Sequence, residues 1–178
     1  MTHTTARAAR AVRSSYARGH QRPLPGYLVT LGTYSTVVGG LTALARARRQ
    51  PLPERVSAGD VVLVGIATHK ISRVLAKDSV TSPLRAPFTR YREPSGESEV
   101  NEEVRTDDGP VRHAVGELVS CPFCLAVWVA TGLAAGLVFA PRLTRLVATA
   151  FTAVTASDFL QLAYEAARRG ARDDEPDR

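Results

Sequence analysis

Cysteine is scarce in this 178-residue chain: Cys121 and Cys124 are the whole complement, and they stand together as one CxxC pair. One local pair cannot staple distant segments, which excludes a disulfide-built scaffold. Charge is missing over two long stretches. No Asp, Glu, Lys, Arg or His occurs in the 23 residues from Pro23 to Ala45, nor in the 24 from Leu118 to Pro141. No alternation of strand and helix patterns runs along the chain, so a thioredoxin-type domain around the cysteine pair is excluded. A glycine-rich phosphate loop, a nucleophile elbow, an HExxH helix and a nucleic-acid-binding module are absent too. The scattered Ser and His residues have no spacing that nominates a triad.

What is present is segregated. The averages, 44% hydrophobic and 22% charged residues, describe a soluble domain. They mislead, because the polar residues sit in tails and loops. A helix needs about 20 apolar residues to cross roughly 30 Å of hydrocarbon, and both charge-free runs reach that length. The net charge of +6 would suit nucleic acid, but 21 of the 23 basic residues are Arg, placed mostly at the ends of apolar runs. That placement points to the anionic headgroups of a lipid bilayer, and no nucleic-acid partner is expected. The expected fold class is all-α: an integral membrane helical bundle of about four spans with a polar, partly disordered cytoplasmic loop.

Residues 1–22, with five Arg and no acid, read as a basic cytoplasmic tail. The apolar run that follows is too long for an ordinary signal-peptide core, so 23–45 is expected as an uncleaved transmembrane helix. Its small residues Gly32, Ser35, Gly39 and Gly40 suit either close approach of another helix or a plain anchor. The second segment, 56–77, starts at Ser57 and Asp60, runs through VVLVGIA and then carries His69, Lys70, Arg73 and Lys77. Each charge at a bilayer centre costs roughly 2.5–3.5 kcal/mol. This helix therefore either crosses with its basic end emerging or stays half-buried.

Residues 78–92 are expected to be an extended basic segment, since Pro83 and Pro87 disfavour helical geometry at Ser82 and Ala86. The stretch 93–110 holds seven acids and one Arg, and is expected as a solvated, disordered acidic loop. A short helix leads into a third transmembrane helix, together covering 111–140, with Ser120 as the cap of that span and Pro122 in its first turn. A fourth transmembrane helix covers 143–164 with one internal acid, Asp158, and 165–178 is a polar tail. Orientation follows from Lys and Arg counts. With the N-terminus inside, the interior collects 15, and the exterior six: Arg46, Arg48, Arg49, Arg55, Arg142 and Arg145. Both termini, the central loop and the cysteine pair are expected to be cytoplasmic.

Two blocks carry a family likeness: GIATHKISRVLAKDSVTSPLRAPFTRY, Gly65 to Tyr91, and GELVSCPFCLAVWVA, Gly116 to Ala130. Together they resemble a family of small bacterial membrane proteins grouped as a domain of unknown function, one member of which is associated with sporulation. The likeness covers roughly 58–163; the first helix and the acidic insert look particular to this branch. It implies an integral protein of the bacterial cytoplasmic membrane and supplies no reaction.

The cysteine pair admits three readings. At a helix N-terminus the backbone dipole lowers a thiol pKa, which suits a membrane-bound thiol enzyme or sensor. Zinc in a structural site takes four ligands. Cys121 and Cys124 supply two; His113, Glu117 and Cys121 recur at i, i+4 and i+8, and His69 or Asp78 could close the set. In the third reading both thiols are small apolar groups at the membrane lip, beside Phe123 and Trp128.

The basic set His69, Lys70, Arg73 and Lys77, with Arg85, could hold an anion, a headgroup or a substrate carboxylate. It could equally pair with Asp78, Glu117 and Asp158 between helices. Asp158 is the best counter-ion candidate, because an unpaired acid in lipid is costly; with His69 it could instead serve a proton or ion path. SPLRAPFTRYR could receive a partner, lie on anionic lipid or simply connect. No catalytic residue is nominated. The expected role is structural or interactive, with another membrane protein or a second copy as partner and no cofactor beyond a candidate zinc. A metal- or thiol-dependent enzyme and a small transporter or channel are the alternatives.

Overall fold

The computed structural model describes residues 15–16 and 22–173, so most of the expected basic tail and the last residues of the polar tail lie outside the described residues. The first long helix, α1, runs Leu24–Ala47. It closes in a Schellman arrangement: Gln50 N–H donates to Ala45 O at 2.9 Å and Arg49 N–H to Arg46 O at 3.0 Å. Arg49 takes the left-handed position with φ 49°, a place glycine usually fills, and Pro51 follows.

Helix α2, Ala58–Lys77, starts where Ser57 Oγ accepts the Asp60 N–H at 3.0 Å. A 3₁₀ turn, Ser79–Thr81, and a single helical turn, α3 at Ser82–Arg85, come next. Strands β1, Thr89–Pro94, and β2, Val100–Val104, pair antiparallel with an irregularity between Tyr91 and Glu93. Then come α4, Pro110–Ser120, α5, Pro122–Phe139, and α6, Pro141–Asp173.

Four expectations change. The chain is mainly helical but not all-α, because a two-stranded sheet is present. The acidic stretch 93–110, expected as a disordered loop, supplies β2. Its charge does not repel itself in isolation, because it lies against the basic strand: Glu103 pairs with Arg92 at 2.5 Å and Asp107 with Arg90 at 2.8 Å. The segment 78–92 is not extended throughout. Ser82 (φ −50°, ψ −37°) and Ala86 (φ −50°, ψ −32°) are both helical despite the prolines that follow them. Finally, α6 continues through the expected polar tail as far as Asp173, since AARRGARD is mostly good helix formers and Glu165 pairs with Arg168 at 3.1 Å.

By length and composition three helices could cross a membrane: Leu24–Ala47, Pro122–Phe139 and Pro141–Ala171. Helix α2 does not meet that standard, as its basic half dilutes its apolar half.

The chain divides into two compact units, one from Met1–Gly39 with Ala76–Cys121, the other from Gly40–Leu75 with Pro122–Arg178. Among the described residues of the first, α4 lies against both the hairpin and the start of α1, and two glycines permit it. A Cβ on Gly116 would fall 2.6 Å from Val104 Cγ1 and 2.9 Å from the Phe88 carbonyl oxygen; one on Gly26 would fall 2.0 Å from Pro110 O. In the second unit the chain turns back at Ala140, so that Gly136 of α5 meets Thr144 of α6, leaving only 2.5 Å between a Cβ there and Thr144 Oγ1. The small side chains Ala67 of α2 and Ala148 of α6 are fully buried. By contrast, a Cβ added at Gly32, Gly39 or Gly40 of α1 would meet nothing within 4 Å among the described residues.

Candidate functional site

Three constellations of polar side chains stand out. The first is built on the turn between α2 and β1. Asp78 Oδ1 accepts the Val80 N–H at 2.9 Å and starts the 3₁₀ turn; Ser79 N–H donates to Ser98 O at 2.9 Å, tying that turn to the hairpin. This brings Arg85 inward, where it is only 1% exposed. Its Nε donates to Glu102 Oε2 at 2.8 Å and its Nη2 to Glu102 Oε1 at 3.0 Å. Nη1 reaches Thr81 Oγ1 at 2.6 Å, and Nη2 also meets Asp78 O at 2.9 Å. Ser82 Oγ and Thr89 Oγ1 approach the same carboxylate at 3.2 and 3.0 Å.

A guanidinium and a carboxylate buried together are tolerated only when nearly every donor and lone pair is used, and here they are. Burial alone pushes the Glu102 carboxyl up. The hydrogen bonds from Arg85, Thr89 and Ser82 outweigh it and hold the group below the usual carboxylate range. This is a strut: it fastens the α3 turn to β2.

The second constellation gathers on Glu117 of α4. Its Oε1 lies 3.3 Å from Arg22 Nη1 and 3.4 Å from His113 Nε2, and its Oε2 accepts the Tyr27 hydroxyl. The expected stripe His113, Glu117, Cys121 is broken after two members. Helix α4 ends at Ser120, and Cys121 is extended at φ −107°, ψ 109°, as a residue before proline tends to be. Ser120, expected to cap the third span, is instead inside α4 and donates to Gly116 O at 2.8 Å.

The third lies in the second unit, between α2 and α6. Lys70 Nζ stands 2.6 Å from Asp158 Oδ2. Asp60 receives Arg145 through two bonds of 2.8 and 3.0 Å. Between these pairs Thr152 Oγ1 donates to Leu63 O at 3.3 Å. The contacts advance together, 60 with 145, 63 with 152, 70 with 158, so α2 and α6 run parallel. Ten residues of helix separate the α2 members of the two ion pairs, about 15 Å along the axis.

The residues singled out in the sequence are therefore dispersed. Lys70 and Asp158 meet. Arg85 finds Glu102 in place of an external anion, and takes only the carbonyl of Asp78. Glu117 serves Arg22, Tyr27 and His113. His69 and Arg73 are exposed, and Lys77 is half-buried. Cys121 is half-buried, Cys124 is exposed, and they are not joined in a disulfide. Among the described residues, no group of three or more His, Cys, Asp or Glu is arranged to hold a metal ion.

Sequence reasoning missed Glu102, Asp60, Arg145, Arg22 and Tyr27. For Glu102 a signal existed: Val100, Glu102 and Val104 alternate as one face of a strand does.

A mainly helical chain, with three helices apolar enough to cross a membrane and its buried charges matched in pairs, is the class that fold and polar sites define. More narrowly, it belongs to the family described as "Protein of unknown function (DUF1360)", whose model matches residues 63–164. That match starts in α2 and ends in α6; α1 lies outside it. A relative in Bacillus subtilis (strain 168), "Sporulation protein YjcA", is 31% identical over 71 residues, 39% of this chain. The aligned region covers 60% of that relative's own length. No solved structure matches.

Proposed function

We propose that this chain is a four-span protein of the bacterial cytoplasmic membrane with a structural or interactive task, its termini and its folded central hairpin on the cytoplasmic side. The 2.6 Å pair of Lys70 and Asp158 carries the reading. Helix α2 falls short as a span because of its charges, yet Lys70 is matched by Asp158 and Asp60 by Arg145. Val61 and Val62, 59% and 60% exposed, then face the acyl chains.

Parallel α2 and α6 are what the Lys and Arg counts require, since both then cross from outside to inside. The CPFC pair acts as small, soft apolar groups at the cytoplasmic lip, with lipid, a second copy or another membrane protein as neighbour. Zinc and thiol chemistry remain the rival proposal, with the double Ser variant described below as its test. A sporulation role stays with the relative, whose alignment covers 39% of this chain.

Reporter insertions test the topology. Green fluorescent protein after Arg178 or within the hairpin at Gly96 is expected to fluoresce. Alkaline phosphatase placed after Pro53 is expected to be active. A silent phosphatase at Pro53 beside a fluorescent Gly96 insertion would put both ends of α2 on one side and end the four-span reading.

A further inference from the structure

The turn that follows α2 is built inside out. In SVTSPLRAP, Ser79–Pro87, most of the polar side chains point inward: Thr81 and Ser82 bond Arg85 and its carboxylate partner, and Arg85 is 1% exposed. Val80, 83% exposed, and Leu84, 66% exposed, are left facing outward four residues apart, so they share one side of the short helical stretch. Pro83, Ala86 and Pro87 are exposed as well. A single exposed aliphatic residue needs no explanation, but an apolar face whose neighbouring polar groups are turned away does.

We propose that this face is an interfacial anchor, with Val80 and Leu84 immersed at the headgroup-to-acyl boundary of the inner leaflet. The proposal rests on the membrane reading of α2. That helix ends at Lys77, whose ammonium suits anionic headgroups at the point of exit. Val80 is three residues further on and so stays within about 10 Å of that exit even if the chain were fully extended. The Ser79–Ser98 bond and the Arg85–Glu102 strut then lock the turn to the hairpin, so the anchor fixes where the hairpin can sit. The arginine of SPLRAP thereby orients two aliphatic side chains toward lipid and does not itself bind a headgroup.

The experiment uses the full chain with Cys121→Ser and Cys124→Ser, carrying one new cysteine labelled with an environment-sensitive fluorophore. The labelled sites are Leu84→Cys, Val127→Cys on exposed α5 and Glu97→Cys in the hairpin turn. Each protein is reconstituted in phosphatidylglycerol–phosphatidylcholine vesicles, with and without bromine near the top of the acyl chains. The Leu84 label is expected to lose fluorescence to the bromines as strongly as the Val127 label, while the Glu97 label loses none. If Val127 is quenched and Leu84 is not, the membrane reading stands and the anchor is overturned. A Leu84 label that is blue-shifted but unquenched marks a protein neighbour, and also overturns it. If neither Val127 nor Leu84 is quenched, the membrane reading itself falls.

Discussion

Arg85 and Glu102, 17 residues apart in the chain, meet through two parallel hydrogen bonds of 2.8 and 3.0 Å, with side chains 1% and 6% exposed. Removing one partner of such a pair strands the other charge, at a cost of about 3–5 kcal/mol. Arg85→Met or Glu102→Leu alone is expected to destabilise the hairpin by that order. The double variant should recover most of the loss, because an apolar pair carries no desolvation cost. Chemical unfolding in mild detergent, run as a double-mutant cycle, measures this.

The same carboxylate sets an acid limit. Glu102 titrates below its ordinary value of about 4.3, so the folded state binds its proton less readily than the unfolded state. The stabilisation is complete above that ordinary value and is lost as pH falls through the lowered one. Amide protection in β2, corrected for intrinsic exchange, is expected to fall more steeply below about pH 4 in the native chain than in Glu102→Gln.

Asp158→Asn leaves Lys70 without its counter-charge, and an unmatched charge in lipid costs roughly 2.5–3.5 kcal/mol. Lower membrane levels and faster proteolysis are expected. Exchanging the charges, Lys70→Asp with Asp158→Lys, should restore much of the level. An exchange no better than either single change would mean that the pair does not hold α2 in place.

Gly116→Ala puts a methyl group 2.6 Å from Val104 Cγ1 and 2.9 Å from a backbone oxygen. Overpacking of this kind costs typically 1–3 kcal/mol. A lower melting temperature is expected, with Gly132→Ala, at an open position on α5, as the neutral comparison.

Cys121→Ser with Cys124→Ser is expected to leave membrane level and stability nearly unchanged, and the purified native protein to carry no stoichiometric zinc. Elemental analysis of both proteins side by side decides this. One zinc per chain, lost in the double variant, would reverse the assignment.

The long helices were legible because exclusion of charge over more than 20 residues has few other meanings, and α1 and α5 lie on the two charge-free runs. Asp158 stood out as the one acid in its apolar run, and it sits on Lys70. The hairpin was not legible, because an acidic stretch read alone looks self-repelling, and its stabilising partner is the basic strand 89–94. Proline rules gave opposite results at different places. Cys121, before Pro122, is extended as a local preference dictates. Ser82 and Ala86 are helical because the bonds converging on Arg85 and Glu102 outweigh that preference, and such tertiary terms leave no trace in neighbouring residues. Burial of Arg85 was hidden for the same reason.

The parallel course of α2 and α6 has a consequence for biogenesis. Lys70 leaves the ribosome 88 residues ahead of Asp158, a delay on the order of 5–15 s at ordinary elongation rates. On the proposed four-span topology, the nascent segment holds Lys70 without Asp158 throughout that interval, so insertion of its basic half would be completed only when α6 arrives.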